Sequence, residues 1–150
     1  MKETVIAIYD IGKTNKKIIL FNEDLKIVSE IEQKFAVIQD DDGFECDDIE
    51  HIERWIKESM IKLVHSEKYD LRTVNFTTYG ASLVYLDEDG KRLTPVYNYL
   101  KPLDEKIHES LYKRHGGRDE FCRRTASQAL GMLNSGLQPL WLKSAKPEVF

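Results

Sequence analysis

The densest chemistry in the chain lies in Asp10-Ile11-Gly12-Lys13-Thr14-Asn15-Lys16-Lys17. A carboxylate at the end of an apolar run, here Asp10 after Val5 to Tyr9, can hold Mg2+ directly or through water. Gly12 has no side chain and lets backbone approach an anion. Thr14 offers a hydroxyl and a backbone N–H. Lys13, Lys16 and Lys17 bring positive charge to a chain whose net charge is −4. Such donors stabilise the charge that develops on a phosphoryl group in transfer. A plain hairpin with a solvated basic turn has the same composition, and the segment alone does not separate the two. The G-x-x-x-x-G-K-[ST] spacing of a Walker A loop is absent, and the segment after the loop reads as a strand rather than a helix.

The elements that must hold this loop are set by apolar periodicity. Val5-Ile6-Ala7-Ile8-Tyr9 is a continuous apolar run, the pattern of a strand buried on both faces. The loop is expected to occupy Asp10 to Lys17, with Ile18 to Phe21 as a second strand. From Lys26 to Val37 residues alternate, which predicts a third strand with Ile27, Ile31, Phe35 and Val37 inward and Lys26, Glu30, Glu32 and Lys34 in solvent. Short connections make these three an antiparallel meander. Asp40-Asp41-Asp42-Gly43 lacks the spacing of an EF-hand loop and reads as a solvated linker. Asp47 and Glu50 fit a capping box for a helix from about Asp48 to His65, with Ile49, Ile52, Trp55, Ile56, Met60 and Leu63 at helical spacing. Val74 to Tyr79 predicts a fourth strand. Leu83–Leu86 and Arg92–Val96 predict a hairpin across Asp89-Gly90. Pro102 and Asp104 open a second helix that Gly116-Gly117 ends. The remainder reads as mostly helical, with Leu137, Leu140 and Trp141 on its apolar face. Strands and helices alternate without a linker or repeat, which predicts one α/β unit.

Composition narrows the classes. With 150 residues, 41% of them hydrophobic and 32% charged, the chain can build one domain with a real core. The acidic balance argues against a general nucleic-acid binder. Two cysteines without a CxxC pair make a disulfide framework or a zinc site unexpected. Apolar runs of about five residues are too short to span a membrane. No secretory signal pattern opens the sequence, so cytoplasm is the default location. His51, His65, His108 and His115 have no partner at metal-ligand spacing and read as surface residues.

The strand–loop–strand form of Asp10 to Lys17 resembles the first phosphate motif of the sugar kinase, hsp70 and actin superfamily. A second segment, Thr78-Tyr79-Gly80-Ala81-Ser82-Leu83-Val84-Tyr85-Leu86-Asp87 with Gly90 and Pro95 after it, is similar to FGGY carbohydrate kinases, closest to the rhamnulokinase type. That type reads Trp-Gly-Val-Asp where this chain has Tyr79-Gly80-Ala81-Ser82. The tail, Leu140-Trp141-Leu142-Lys143 with Pro147-Glu148, also resembles the family. The resemblance covers nearly the whole chain.

It implies an α/β fold of the ribonuclease H-like (actin-like ATPase) kind, a mixed sheet that begins with an antiparallel three-stranded meander and carries packed helices. It implies ATP and Mg2+ as cofactors, with Asp10 at the metal and Gly12, Lys13, Thr14 and Lys17 at the phosphates. Tyr79, Gly80 and Ala81 sit where the family touches its sugar. Tyr97-Asn98-Tyr99 falls where many members have an aromatic residue, a polar residue, Asp and then Arg. Asn98 is therefore a candidate substrate contact, while the absent Asp and Arg leave the sugar unnamed. The family's catalytic base, second phosphate motif and adenosine motif would all fall beyond residue 150. Residues 1–150 are accordingly expected to be part of an FGGY N-terminal domain, with a C-terminal kinase domain as the missing partner and a sugar or polyol as substrate. Neither nucleic acid nor membrane is an expected partner. The parent would transfer phosphate from ATP to a hydroxyl, and this piece would be inactive alone. A non-catalytic nucleotide- or sugar-binding module, or a remnant, is the alternative. A ribonuclease H-like nuclease would need several carboxylates converging on two metals, and Asp10 alone stands at a strand end near the loop.

Overall fold

The computed structural model describes residues 1–149. In chain order the elements are β1 (Glu3–Ile11), β2 (Lys16–Phe21), β3 (Ile27–Gln33), β4 (Val37–Gln39), β5 (Glu45–Asp47), α1 (Ile49–Val64), β6 (Tyr69–Thr78), α2 (Glu105–Arg114), α3 (Arg118–Thr125), a 3₁₀ turn (Gly131–Leu133) and α4 (Leu137–Ala145). They fall into two compact units. The first is Met1–Val37 with Asp48–Gly80, and the second is Ile38–Asp47 with the chain from Ala81 onward.

In the first unit β1 alternates buried Val5, Ala7, Tyr9 and Ile11 with half-buried Thr4, Ile6, Ile8 and Asp10. That near-continuous apolar run takes an interior place in the sheet order β3-β2-β1-β6. β1, β2 and β3 form the expected antiparallel meander, and β6 pairs with β1 in parallel, so the sheet is mixed. One face is covered by α1, whose Ile52 is buried and whose Trp55, Ile56, Met60 and Leu63 pack on the strands at helical spacing. Tyr9 ties the layers together. Its ring stacks on Phe76 at 5.1 Å and meets the edge of Trp55 at 5.8 Å, and its hydroxyl shares a hydrogen bond of 3.0 Å with Ser59. Burial raises the pKa of its phenol.

Several local expectations are corrected. The α1 cap is Asp48, whose carboxylate accepts from the His51 N–H at 2.9 Å, one residue later than the Asp47–Glu50 pair suggested. The third strand stops at Gln33, and Val37 begins another. Ile27 and Ile31 are 55% and 51% exposed rather than inward. β3 is an outer strand, with a neighbour on one side only, and its pairing with β2 slips between Leu20 and Phe21. An alternating pattern identifies a strand, but an edge position and a bulge together undo the burial it implies.

In the second unit β4 and β5 form a small two-stranded hairpin around the acidic loop, where a linker was expected. The hairpin across Gly90 also forms, yet its arms shrink to the single bridge Leu86–Arg92 with flanking bonds Asp87 N–H to Lys91 O and Leu93 N–H to Tyr85 O, both 2.9 Å. α2 starts at the Asp104 cap and ends at His115, before Gly116 and Gly117 at φ of 89° and 95°, as the sequence predicts. Tyr97, Met132, Trp141 and Leu142 make the core of this unit. Among the described residues, no helix is long and apolar enough to cross a membrane.

Candidate functional site

The β1–β2 ladder runs through Asp10–Lys17 and Ile11–Lys16, so the loop itself is only Gly12 to Asn15. Asp10 and Lys17, expected in the loop, are strand residues. Asp10 is also in register with Thr77 of β6. It therefore stands near the carboxyl ends of two adjacent parallel strands, where open α/β sheets place their ligands. Gly12 is required by close approach. A Cβ there would lie 2.7 Å from the carbonyl oxygen of Asn15. Thr14 at the tip is exposed, and the Oδ1 of Asn15 is buried without a hydrogen-bond partner. Carboxylate and amide oxygens are the donors a hard cation takes.

The three lysines have separate surroundings. Lys17 lies across from Glu32 on β3, and its ammonium reaches Glu30 at 2.7 Å and Glu32 at 3.3 Å. The bond to Glu30, and after it that to Glu32, raises its pKa. Lys16 is 2% exposed, and its ammonium donates to the Lys13 carbonyl at 3.1 Å, bracing the turn from within. It also lies 6.0 Å from the ring centres of Phe35 and Tyr79. Lys13 sits over the Tyr79 ring at 5.4 Å. The Tyr79 N–H donates to the Ile11 carbonyl at 3.1 Å and so carries the β1–β6 pairing one residue past the strand. Tyr79, a sugar-contact candidate, is thus joined to the β1–β2 turn. The burial of Lys16 has one sequence signal, its place two residues before Ile18 in an alternating strand.

Gly80 and Ala81 form the next bend. Ala81 takes φ of 62°, the left-handed region that residues with a Cβ avoid, while Gly80 does not. The Ala81 carbonyl accepts a bond from Gln138 of α4. Asn98 is 8% exposed, and its side chain is already engaged. Its Nδ2 donates to the Glu45 carbonyl at 3.1 Å, and its Oδ1 accepts from the Leu100 N–H at 3.0 Å.

Comparison with known proteins decides the family. The N-terminal domain of the FGGY family of carbohydrate kinases matches residues 5–150. The chain belongs to this family. A rhamnulokinase from Mannheimia succiniciproducens is 26% identical over 94% of the chain, which spans 31% of that protein. A carbohydrate kinase from Novosphingobium aromaticivorans superposes with a TM-score of 0.81 at 24% identity, over 99% of this chain and 30% of its own. A xylulose kinase from Lactobacillus acidophilus gives 0.77 at 23% identity, over 98% and 30%. A glycerol kinase from Plasmodium falciparum, solved with ADP, gives 0.73 at 19% identity, over 99% and 30%. The fold is thus the mixed α/β, actin-like ATPase fold of carbohydrate kinases, and the chain spans about a third of the length of these relatives.

In this FGGY N-terminal domain the Asp40–Gly43 segment is a hairpin turn rather than a linker; Asp41 and Asp42 are exposed, as their composition suggests, while Asp40 is buried. Asp40 Oδ1 closes the turn by accepting from the Asp42 and Phe44 N–H groups, both at 2.9 Å. Lys101 reaches Asp40 at 2.6 Å and Asp42 at 2.5 Å, and Lys146 reaches Asp41 at 2.7 Å and Asp42 at 3.0 Å. The bond from Lys101, then that from Lys146, holds the Asp42 carboxyl below its usual value of 3.8. Asp42 binds its proton more weakly folded than unfolded. Its contribution to stability is therefore present above about pH 4 and lost as pH falls through the lowered folded value. Lys146, raised chiefly by its bond to Asp41, has the opposite sign. Its contribution is full below 10.5 and lost as pH rises through the folded value. Urea midpoints measured between pH 2 and pH 7 should therefore fall more steeply toward acid for the unaltered chain than for Asp42→Asn. Equal acid slopes would show that this loop does not carry the linkage.

Proposed function

We propose that this chain supplies the first phosphate loop and part of the acceptor site of an enzyme that moves the γ-phosphoryl group of ATP to a hydroxyl of a sugar or polyol. The observation that carries this reading is the placement of Asp10 at the carboxyl end of β1, beside a turn that only glycine at position 12 allows. Asp10 would hold Mg2+, and the Gly12–Asn15 backbone, the Thr14 hydroxyl and the Lys13 ammonium would hold the phosphates. A metal held there would supply charge neutralisation to the phosphates. Lys17 joins this set by exchanging a carboxylate partner on β3 for phosphate. Tyr79, Gly80 and Ala81 form the acceptor turn. Asn98 contributes through the second N–H of its Nδ2 and the second lone pair of its Oδ1, the groups that its bonds to Glu45 and Leu100 leave over.

The base that takes the acceptor proton belongs to the part of the relatives' length that this chain does not match, and the phosphoryl step awaits it. A cytoplasmic location belongs to the same reading, as does ATP rather than another nucleotide.

Calorimetry with Mg-ATP and a panel of sugars and polyols tests the proposal. The unaltered chain should bind Mg-ATP. Asp10→Asn should weaken that binding by about tenfold, the order expected when a charge-assisted metal contact is lost, and should change metal-free ATP binding far less. Loss of affinity to the same extent with and without Mg2+ would remove Asp10 from the metal site. Turnover of ATP with any sugar by these 150 residues alone would show that the base is present in them.

A further inference from the structure

Gln138 lies in the first turn of α4 and is 1% exposed. A glutamine so deeply buried is held there by its hydrogen bonds. Its Nε2 carries two N–H groups that diverge, and both are used. One donates to the Met132 carbonyl at 2.8 Å, within the local turn before α4, and the other donates to the Ala81 carbonyl, 57 residues earlier in the chain. Ala81 needs such a hold. It sits at φ of 62° with a Cβ, while Gly80 beside it has no left-handed φ. A chain free to choose would put its glycine at the left-handed position.

We propose that Gln138 is a positioning residue for the acceptor turn: its carboxamide fixes the Ala81 carbonyl and so keeps Ala81 left-handed, which sets the direction of the backbone groups after it. This rests on the reading of Tyr79–Ala81 as the acceptor turn. The carboxamide touches no acceptor in this role and acts through Ala81 alone. The Met132 bond makes the hold rigid, because a side chain tied at two carbonyls cannot swing away from either.

The test uses Gln138→Met, which keeps length and volume and removes both donors, with Gln138→Glu as the second variant should the first not fold. Hydrogen exchange is measured at residues 81–83, with α1 amides as the internal control, and acceptor affinity is measured by calorimetry with the same sugar panel. The lost bond to the Ala81 carbonyl corresponds to about a tenfold change. Exchange at 81–83 should rise by about that factor while α1 is unchanged. The acceptor dissociation constant should rise similarly. Adding Ala81→Gly should restore most of both losses, because glycine holds a left-handed φ without help. A merely structural glutamine would give no such rescue. Unchanged exchange at 81–83, or no rescue by Ala81→Gly, overturns the proposal. Loosened and rescued exchange in a chain that binds no sugar would instead overturn the acceptor reading and leave the role of Gln138 toward Ala81 standing.

Discussion

Gly12→Ala should weaken Mg-ATP binding by about tenfold or more and destabilise the first unit by about 1–3 kcal/mol, the usual cost of forcing atoms into a packed place. The added Cβ would lie 2.7 Å from the Asn15 carbonyl oxygen, closer than such atoms come in real proteins. Asn15 is backbone in a four-residue turn clamped between the Ile11–Lys16 pair, so it cannot yield without opening the ladder. Opening the turn also moves the Lys13 carbonyl away from the Lys16 ammonium that braces it. Gly136→Ala is the control. A Cβ there meets nothing within 4 Å, and Gly136 has an ordinary helical φ of −64°. Urea unfolding and calorimetry on both variants separate the effects. Equal stability of the two would remove close approach as the reason for glycine at position 12. Lost stability with intact Mg-ATP affinity would leave the steric argument standing and take the phosphate away from this turn.

The legible part of this molecule is the part whose burial repeats with the backbone period. Val5 to Tyr9 announced an interior strand, and Ile52, Trp55, Ile56 and Met60 announced the helix that covers it. The meander was legible in the short polar connections between strands. What stayed hidden depends on neighbours distant in sequence. Ile27 and Ile31 alternate correctly, but only the sheet order makes their strand an edge. Nothing local shows that Glu30 and Glu32 pair with Lys17 across the ladder. Three adjacent aspartates imply solvent, which holds for Asp41 and Asp42, but nothing local shows that Asp40 is buried against Lys101. Asp10, Gly12 and Thr14 stand out in sequence by type and spacing, whereas Gln138 has neither a motif nor a nearby partner that would mark it.

Lys101→Met should cost the second unit about 3–5 kcal/mol, the range for a buried pair that loses one member. The Lys101 side chain is 8% exposed and that of Asp40 is 0% exposed, and their atoms meet at 2.6 Å. Water cannot replace the ammonium there. The lysine also lies 4.8 Å from the Tyr97 ring centre and 4.9 Å from that of Trp141, so its charge is bound by two aromatic faces as well as by carboxylates. Removing it leaves Asp40 with its two backbone donors and no countercharge. The position of Trp141 makes it the reporter. In a Trp55→Phe background its fluorescence tracks the second unit alone, which matters because two compact units need not unfold as one. At roughly 4–8 °C per kcal/mol for a cooperative unit of about 80 residues, its melting midpoint should fall by roughly 12–40 °C. Replacing Asp40 as well, by Asn, removes the stranded charge while keeping an acceptor for the Asp42 and Phe44 N–H groups, and should recover a substantial part of the loss. A double variant no more stable than Lys101→Met would mean that the cost came from lost packing against Tyr97 and Trp141, and the ion pair would then have no claim as the lock on this loop.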